Sequence, residues 1–494
     1  MLRSVLSLRV ASAMLIATGV IFSTLQMADV SSVTKPPELR ARNHTLFLTL
    51  HAAITSRGKN SFYFNGQPNA PTLRLSPGDQ LKITYINDLP AKTSESCAIT
   101  PCMDMTNLHF HGLTVSPDAP QDDVLTMMAM PGQVLRYSVQ IPKDHPPGLY
   151  WYHTHPHGES YRQVLDGMSG ALVIEGVESY VPTLARLPER VLVVRGRSLE
   201  ADPQSAELKR RVELGGYACG GKLDSPTEVF SVNGSVRPSI EIAPSERQFW
   251  RIVNASADRY LDLELEGQTF EIVAMDGMPI ARHDPDHPTR IASHVLLPPA
   301  GRLEAIVVGP EPVKPRRLLS RCVDTGPDGD PNPEMILADI APRASRGSLP
   351  KPPKVLLKPD LKVLSITSEE KVPPRFVVRF SEDKNGFYIN GEKFALDSPP
   401  MVTGQVGTYQ HWRIVNDSKE LHPMHIHQVH FLAYAEEGQP IADPLWLDTV
   451  NVPYGKAVDV IMDFTDPVIK GMSVFHCHLL NHEDKGMMAK ILFK

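Results

Sequence analysis

At 494 residues the chain is too long for one ordinary core, and usual domain sizes give about three domains. Its 45 prolines and 32 glycines with moderate charge fit many turns between short strands, which sets aside an architecture of long helices. A formal net charge of −6, without a long basic run, excludes a nucleic-acid footprint and with it a nucleic-acid partner.

The N-terminus reads MLRSVLSLRVASAMLIATGVIFSTLQMADV. Arg3 and Arg9, a mainly apolar stretch from Val10 to Ala28, then polar residues and Pro36-Pro37 have the layout of a secretory signal over residues 1–28. The stretch is nearly long enough to span a bilayer, but Ser, Thr and Gln interrupt it. A membrane partner therefore enters only if the segment stays uncleaved. No adjacent Arg-Arg pair supports a twin-arginine route, and the expected location is periplasmic or extracellular.

Three later segments resemble one another: FYFNGQPNAPTLRLSPGDQLKITYIND from Phe62, FSVNGSVRPSIEIAPSERQFWRIVNAS from Phe230, and FYINGEKFALDSPPMVTGQVGTYQHWRIVNDS from Phe387. Each opens with aromatic-x-x-Asn-Gly, a hairpin-turn signal, and closes with a strand alternating at period two that ends in Asn. A small antiparallel β-domain present three times is expected, spanning 38–178, 179–345 and 355–494. The Pro/Lys/Arg-rich APRASRGSLPKPPKVLLKP supplies the second linker. Of the sequons at Asn43, Asn233, Asn254 and Asn416, the last three fall inside the repeated turns and read as turn chemistry.

Eight of the 19 histidines form four His-x-His pairs: His109/His111, His153/His155, His425/His427 and His476/His478. Residues two apart on a strand share a face, so each pair presents two imidazoles side by side. Two pairs fall in the first domain and two in the third, whereas the second holds only the scattered His283, His287 and His294. The site is expected between the first and last domains. Four pairs exceed what one tetrahedral zinc takes, so a multinuclear site follows, although spacing alone does not choose among copper, zinc, iron and nickel. His157 and His430 adjoin the motifs without joining a pair and are read as outer or surface residues.

Cys477 does choose. It lies between His476 and His478, so its sulfur points to the opposite strand face and serves a different metal. Its available partners are His422, His482 and Met487; two histidines, a thiolate and a weak axial methionine make a blue-copper electron-transfer site. Five cysteines leave at least one outside disulfides, and Cys477 is the natural one. For the others, pairing Cys97 with Cys102 and Cys219 with Cys322 stands beside the reading of buried free thiols.

With HFHG, HTHPHG, HPMHIH and HCHLLNHEDKGMM in order, the chain over roughly residues 40–494 resembles the multicopper oxidases, the group of laccases, ascorbate oxidase and bacterial cuprous oxidases. The resemblance implies an all-β fold of three consecutive cupredoxin-like Greek-key domains and four copper ions. It gives the type 1 copper His422, Cys477, His482 and axial Met487, and the type 2 copper His109 and His425. One type 3 copper would take His111, His153 and His478, the other His155, His427 and His476. Spacing cannot make that division, since an i, i+2 pair can also chelate one metal. The implied reaction couples four one-electron oxidations of a donor at the type 1 copper to reduction of molecular oxygen to two waters.

Protons need carriers, and Asp122 and Glu483 resemble acidic positions used for this in the family, with Asp118 and Asp123 as competing choices for the first. The donor is a small molecule of laccase type or a metal ion such as Cu(I) or Fe(II). Met103, Met105, Met127, Met128 and Met130 fit either an outer copper site or packing. The lack of a long methionine-rich insertion before the last motifs favours a broad laccase-like donor range. The alternatives are a non-catalytic copper-binding or structural protein of the same fold, which would lack several ligands, and a copper nitrite reductase, which would not need His476 and His478 beside the cysteine.

Overall fold

The computed structural model describes residues 32–91, 104–200, 202–214, 219, 226–311, 316–342 and 375–494. The apolar leader, Cys97, Cys102, Met103 and nearly all of the linker lie outside the described residues, as does the boundary drawn between 345 and 355. Among the described residues no helix is long and apolar enough to cross a membrane.

Among the described residues six sheets form, and none of them mixes strands from two of the three repeats. In the first repeat one sheet runs Glu38–Arg40, Thr72–Leu75, Ser169–Ile174, Gly148–His153, His109–His111, and the other runs Asn60–Tyr63, Thr45–Ile54, Gln80–Asn87, Val134–Gln140. The middle repeat has a seven-stranded and a five-stranded sheet between residues 189 and 342, and the last a six-stranded and a five-stranded sheet between 376 and 493. Each pair of sheets encloses its own apolar core. The molecule is thus all-β with cupredoxin-like sandwiches, as expected.

The sheets are mixed, not purely antiparallel. Thr45–Ile54 pairs parallel with Gln80–Asn87, Glu189–Ser198 with Arg247–Asn254, and Phe376–Asp383 with Thr408–Asn416. In the first repeat the intervening chain turns back through Asn60–Tyr63 and then crosses to the other sheet as Thr72–Leu75, which gives it the length a parallel connection needs.

The repeated residues act alike in all three places. Asn65-Gly66, Asn233-Gly234 and Asn390-Gly391 each hold two consecutive positive φ angles, from 49° to 85°, the requirement of a two-residue hairpin turn whose twist matches its strands. The closing asparagines are fully buried, and each Nδ2 donates to two backbone carbonyls: Asn87 to Asp104 and Ala129, Asn254 to Arg259 and Leu297, Asn416 to Glu420 and Val452. Their Oδ1 atoms accept from the backbone N two residues on, at Leu89, Ser256 and Ser418. Asn254 and Asn416 are therefore turn residues with their amides in use.

Gln80–Asn87 buries every second residue, as its pattern predicts. Arg247–Asn254 keeps the same alternation but is buried on both faces beyond its first residue. Its Trp250 and Ile252 enter the middle core, while Val253 meets Leu149, Trp151, Ala171 and Val173 of the first repeat. Ion pairs run along the same seam, with Glu189 holding Arg74 and Arg251 and Glu304 accepting from Leu149 N at 2.7 Å. Val124 and Leu125 pack on Val474 and Met488, and Val164, Ala257 and Leu480 meet where all three repeats touch.

Candidate metal centre

Strand register brings the histidine pairs to one surface. His109–His111 pairs antiparallel with Gly148–His153 so that His109 faces His153; His422–Ile426 pairs with Gly471–Cys477 so that His425 faces His476. Cross-strand partners project to the same side, and the i, i+2 spacing adds the second member of each pair. The first and last repeats then interdigitate: His109 stacks on His427 and His111 on His425, each at 3.8 Å between ring centres. Asp484 of the last repeat accepts from the backbone N of Gly158, Ser160 and Tyr161, which fastens the chain after His157 to the helix Leu480–Asp484.

All eight of these histidines are buried, and burial is the main cause lowering each imidazole below its ordinary pKa, to about 3 for His153 and about 4 for His476. They are neutral, the form that ligates. Hydrogen bonds also fix which nitrogen is available. His109 Nδ1 lies 3.1 Å from both oxygens of Asp122, His153 Nδ1 donates to Thr154 O at 2.9 Å, and His425 Nδ1 donates to Asp448 O at 2.8 Å. The opposite nitrogens, His109 Nε2, His153 Nε2 and His425 Nε2, are buried without a hydrogen-bond partner among the described residues, as is His111 Nδ1.

Such buried orphan acceptors are costly unless something binds them. The Nε2 atoms of His155 and His427 lie 3.3 and 3.2 Å from His476 Nε2, close to the edge, about 3.3 Å, of a tetrahedron with metal–nitrogen bonds of about 2.0–2.1 Å. Donor atoms also converge in the sets His109, His111, His153; His109, His425, His427; and His111, His425, Asp448. His111, His153 and His478 have ring centres 5.0 to 5.8 Å apart. The residues present fit a cluster of imidazole-loving ions.

Cys477 points the other way, into the core of the last repeat, where Met487 is buried with it. His422 Nδ1 lies 3.3 Å from its Sγ, and His422, Cys477 and His482 form a further convergent set. Met488 instead pairs across from His476 and packs on Val124, so Met487 is the methionine on the cysteine's side. Burial pushes the Cys477 thiol well above its usual value, so a metal held there would have to displace its proton. His482 stacks on Phe387 at 3.9 Å, and its Nε2 is 3.3 Å from Glu420 Oε1.

Both acids named from sequence touch cluster imidazoles. Asp122 accepts from Phe110 N at 2.9 Å and Gln428 Nε2 at 2.8 Å, and burial raises its carboxyl to about 8. Asp123 accepts instead from the Leu125 and Thr126 backbone, and Asp118 lies on the exposed side of its turn. Glu483 accepts from Ser160 Oγ and sits 3.3 Å from His476 Nδ1 and 3.6 Å from His155 Nδ1; burial raises its carboxyl strongly. His430, also buried, donates to Asp276 O at 2.9 Å, while His157 rests on Phe394. The expected Cys219–Cys322 disulfide is present and Cys477 is free.

Several residues escape the sequence reading. Asp448 lies 3.1 Å from His111 Nε2 and is gripped by Arg302. Beside His482, a cleft with about 20 Å³ of room is lined by Asp258, Tyr260, Asp330 and Glu420. A signal exists for two of these: Asp258 and Glu420 each stand four residues after a closing asparagine, Asn254 and Asn416.

Three family models, each described as multicopper oxidase, match residues 50–179, 195–292 and 368–494. A multicopper oxidase of Staphylococcus aureus is 25% identical over 93% of this chain and 92% of its own length, and a laccase of Bacillus subtilis (strain 168) is 24% identical over 86% and 88%. The solved structure of a multicopper oxidase from Campylobacter jejuni, described as a metallo-oxidase, is 26% identical with a TM-score of 0.70, covering 94% of this chain and 95% of its own.

Proposed function

The chain belongs to the multicopper oxidase family, an oxidoreductase coupling donor oxidation to reduction of molecular oxygen, and from that premise we propose that its donor is a reduced metal ion, Fe(II) before Cu(I). The observation that carries this reading is the acidic cleft on His482. Asp258, Asp330 and Glu420 line it, and its room of about 20 Å³ is that of a water-sized particle. Carboxylate oxygens suit hard or borderline cations, whereas Cu(I) selects thiolate and thioether. The laccase-like expectation rests on the lack of a methionine-rich insertion; the size of the cleft and its three carboxyl groups favour an ion, which on binding would displace the proton that burial holds on Asp258. The metallo-oxidase from Campylobacter jejuni supports this choice by analogy.

Four coppers, when bound, supply one centre that takes electrons singly and three that deliver four of them to oxygen. For this chain we assign His422, Cys477, His482 and Met487 to the first, His109 and His425 to the type 2 ion, and His111, His153, His478 and His155, His427, His476 to the type 3 pair. Cys477 is joined by one peptide bond to each of His476 and His478, and His476 Nδ1 donates to Cys477 O at 3.0 Å, which adds a hydrogen-bonded route beside the covalent one. Asp122, held at His109, and Glu483, held at His476, are the groups assigned to hold and deliver protons. We place the working protein outside the cytoplasm, on the signal-like leader and a disulfide closing a long loop.

The test is steady-state oxygen uptake with Fe(II), Cu(I) and a phenol in the wild type and in Asp258→Asn and Asp330→Asn. Each variant is expected to raise KM for Fe(II) about tenfold, the effect of losing about 1.4 kcal/mol, and to leave phenol turnover alone. Fe(II) kinetics unchanged in both variants would rule the cleft out as the donor site.

A further inference from the structure

The middle repeat supplies none of the ligand side chains, yet one of its residues reaches the cluster. Arg302 is fully buried and spends its donors on all three repeats: Nε on Leu149 O at 3.2 Å, Nη1 on Ala300 O at 3.2 Å and Asp448 Oδ1 at 2.7 Å, and Nη2 on Asp448 Oδ2 at 2.5 Å. A two-pronged grip on a carboxylate fixes its plane as well as its charge. Asp448 passes that orientation on twice. Its Oδ1 lies 3.1 Å from His111 Nε2, and its backbone carbonyl accepts from His425 Nδ1 at 2.8 Å. Thr449 Oγ1, between the two rings, donates to Asp448 Oδ1 at 2.9 Å.

A carboxylate held at both oxygens by a guanidinium can only accept, and so can a carbonyl. His111 therefore carries its proton on Nε2 and His425 on Nδ1. The nitrogens left over, His111 Nδ1 and His425 Nε2, are the buried ones without a partner. Asp276, also of the middle repeat, closes the far side by accepting from Arg302 N at 2.8 Å and Asp448 N at 3.3 Å. Gly112 is explained by the same group: with φ +83°, a Cβ there would stand 2.5 Å from both Arg302 Nη2 and Asp448 Oδ2. The glycine of HFHG leaves room for the Arg302–Asp448 pair.

We propose that Arg302 is a positioning residue for the oxygen-reducing cluster: acting through Asp448, it locks His111 and His425 in the tautomers and orientations that bind copper. The middle repeat is on this account a working part of the site, not a spacer. The inference rests on the reading of His111 and His425 as copper ligands.

Arg302→Met and Arg302→Lys in the copper-loaded, full-length protein test it, with three readouts: the blue absorption, the type 2 electron paramagnetic resonance spectrum, and copper retained against a chelator. The blue centre uses none of the residues that Arg302 touches, so it reports folding. In Arg302→Met the blue colour should persist, while the type 2 spectrum shifts and cluster copper is lost at chelator concentrations about 10–100-fold lower. Arg302→Lys keeps the charge without the fork and should fall between the two. A blue Arg302→Met protein with wild-type spectrum and retention overturns the proposal. If that variant does not fold, the same wild-type result in Arg302→Lys overturns it. A loaded wild type with no type 2 signal would instead bring down the ligand reading beneath it.

Discussion

Asp122 shows how one side chain is set up by its surroundings. Both carboxylate oxygens face His109 Nδ1, Phe110 N and Gln428 donate to it, and desolvation still holds its carboxyl near 8. A group that exchanges a proton near neutrality is suited to general acid work, commonly worth about 10²–10⁴-fold. Asp122→Asn should slow oxygen reduction by about 10²-fold or more with the blue colour intact; normal turnover in rapid-mixing experiments would defeat the role. Gly112→Ala should cost about 2 kcal/mol or more in chemical denaturation, because the site demands both positive φ and the absence of a Cβ. The ligand histidines are legible one by one because their spacing repeats. Arg302 and Asp448 are not, since a lone arginine and a lone aspartate 146 positions apart carry no local pattern.

On the scale of strands and loops, Gly471–Cys477 is the informative element. Its pleat sends Cys477 into the core of the last repeat and His476 to the surface shared with the first, a division that period-two geometry predicts without any coordinates. The three Asn-Gly turns and closing asparagines were equally readable, because each residue type answers a specific backbone need. The parallel pairings were not, for local alternation says nothing of which strand lies alongside. Cys219 and Cys322, 103 residues apart, are the covalent counterpart of this long-range order. Removing the bridge by Cys322→Ser should cost about 2–4 kcal/mol, and reductant should then lower the Tm of the wild type but not of the variant.

Taken as a whole, the molecule stores its chemistry at seams between repeats. The converging histidines lie between the first and last, and the acidic cleft joins Asp258 and Asp330 of the middle repeat to Glu420 of the last. Sequence reading located the first seam because histidines mark it, and passed over the second because three acids from three loops look like surface charge.

Burial also sets a pH dependence. Burial raises Asp122 and Asp258 to about 8 but lowers the more numerous buried imidazoles, so below about pH 7 the unfolded chain, with its histidines charged, binds more protons than the folded metal-free protein, and between about pH 7 and pH 8 the raised carboxyls reverse the balance. Stability of the metal-free protein must therefore rise with pH up to about 7 and fall from there to about 8, and thermal unfolding below and above pH 7 checks the two signs. Copper loading should raise Tm at both, since ligands bound only by the folded state stabilise it.

The most direct single measurement is the ratio of Fe(II) oxidised to O2 consumed by the copper-loaded protein, with peroxide assayed in the same vessel. Four Fe(II) per O2 with no peroxide is the predicted result, because the proposed function couples four one-electron oxidations of the donor to the reduction of each O2 to two waters. A ratio of two with peroxide released, or no uptake by a fully blue protein, would contradict the account.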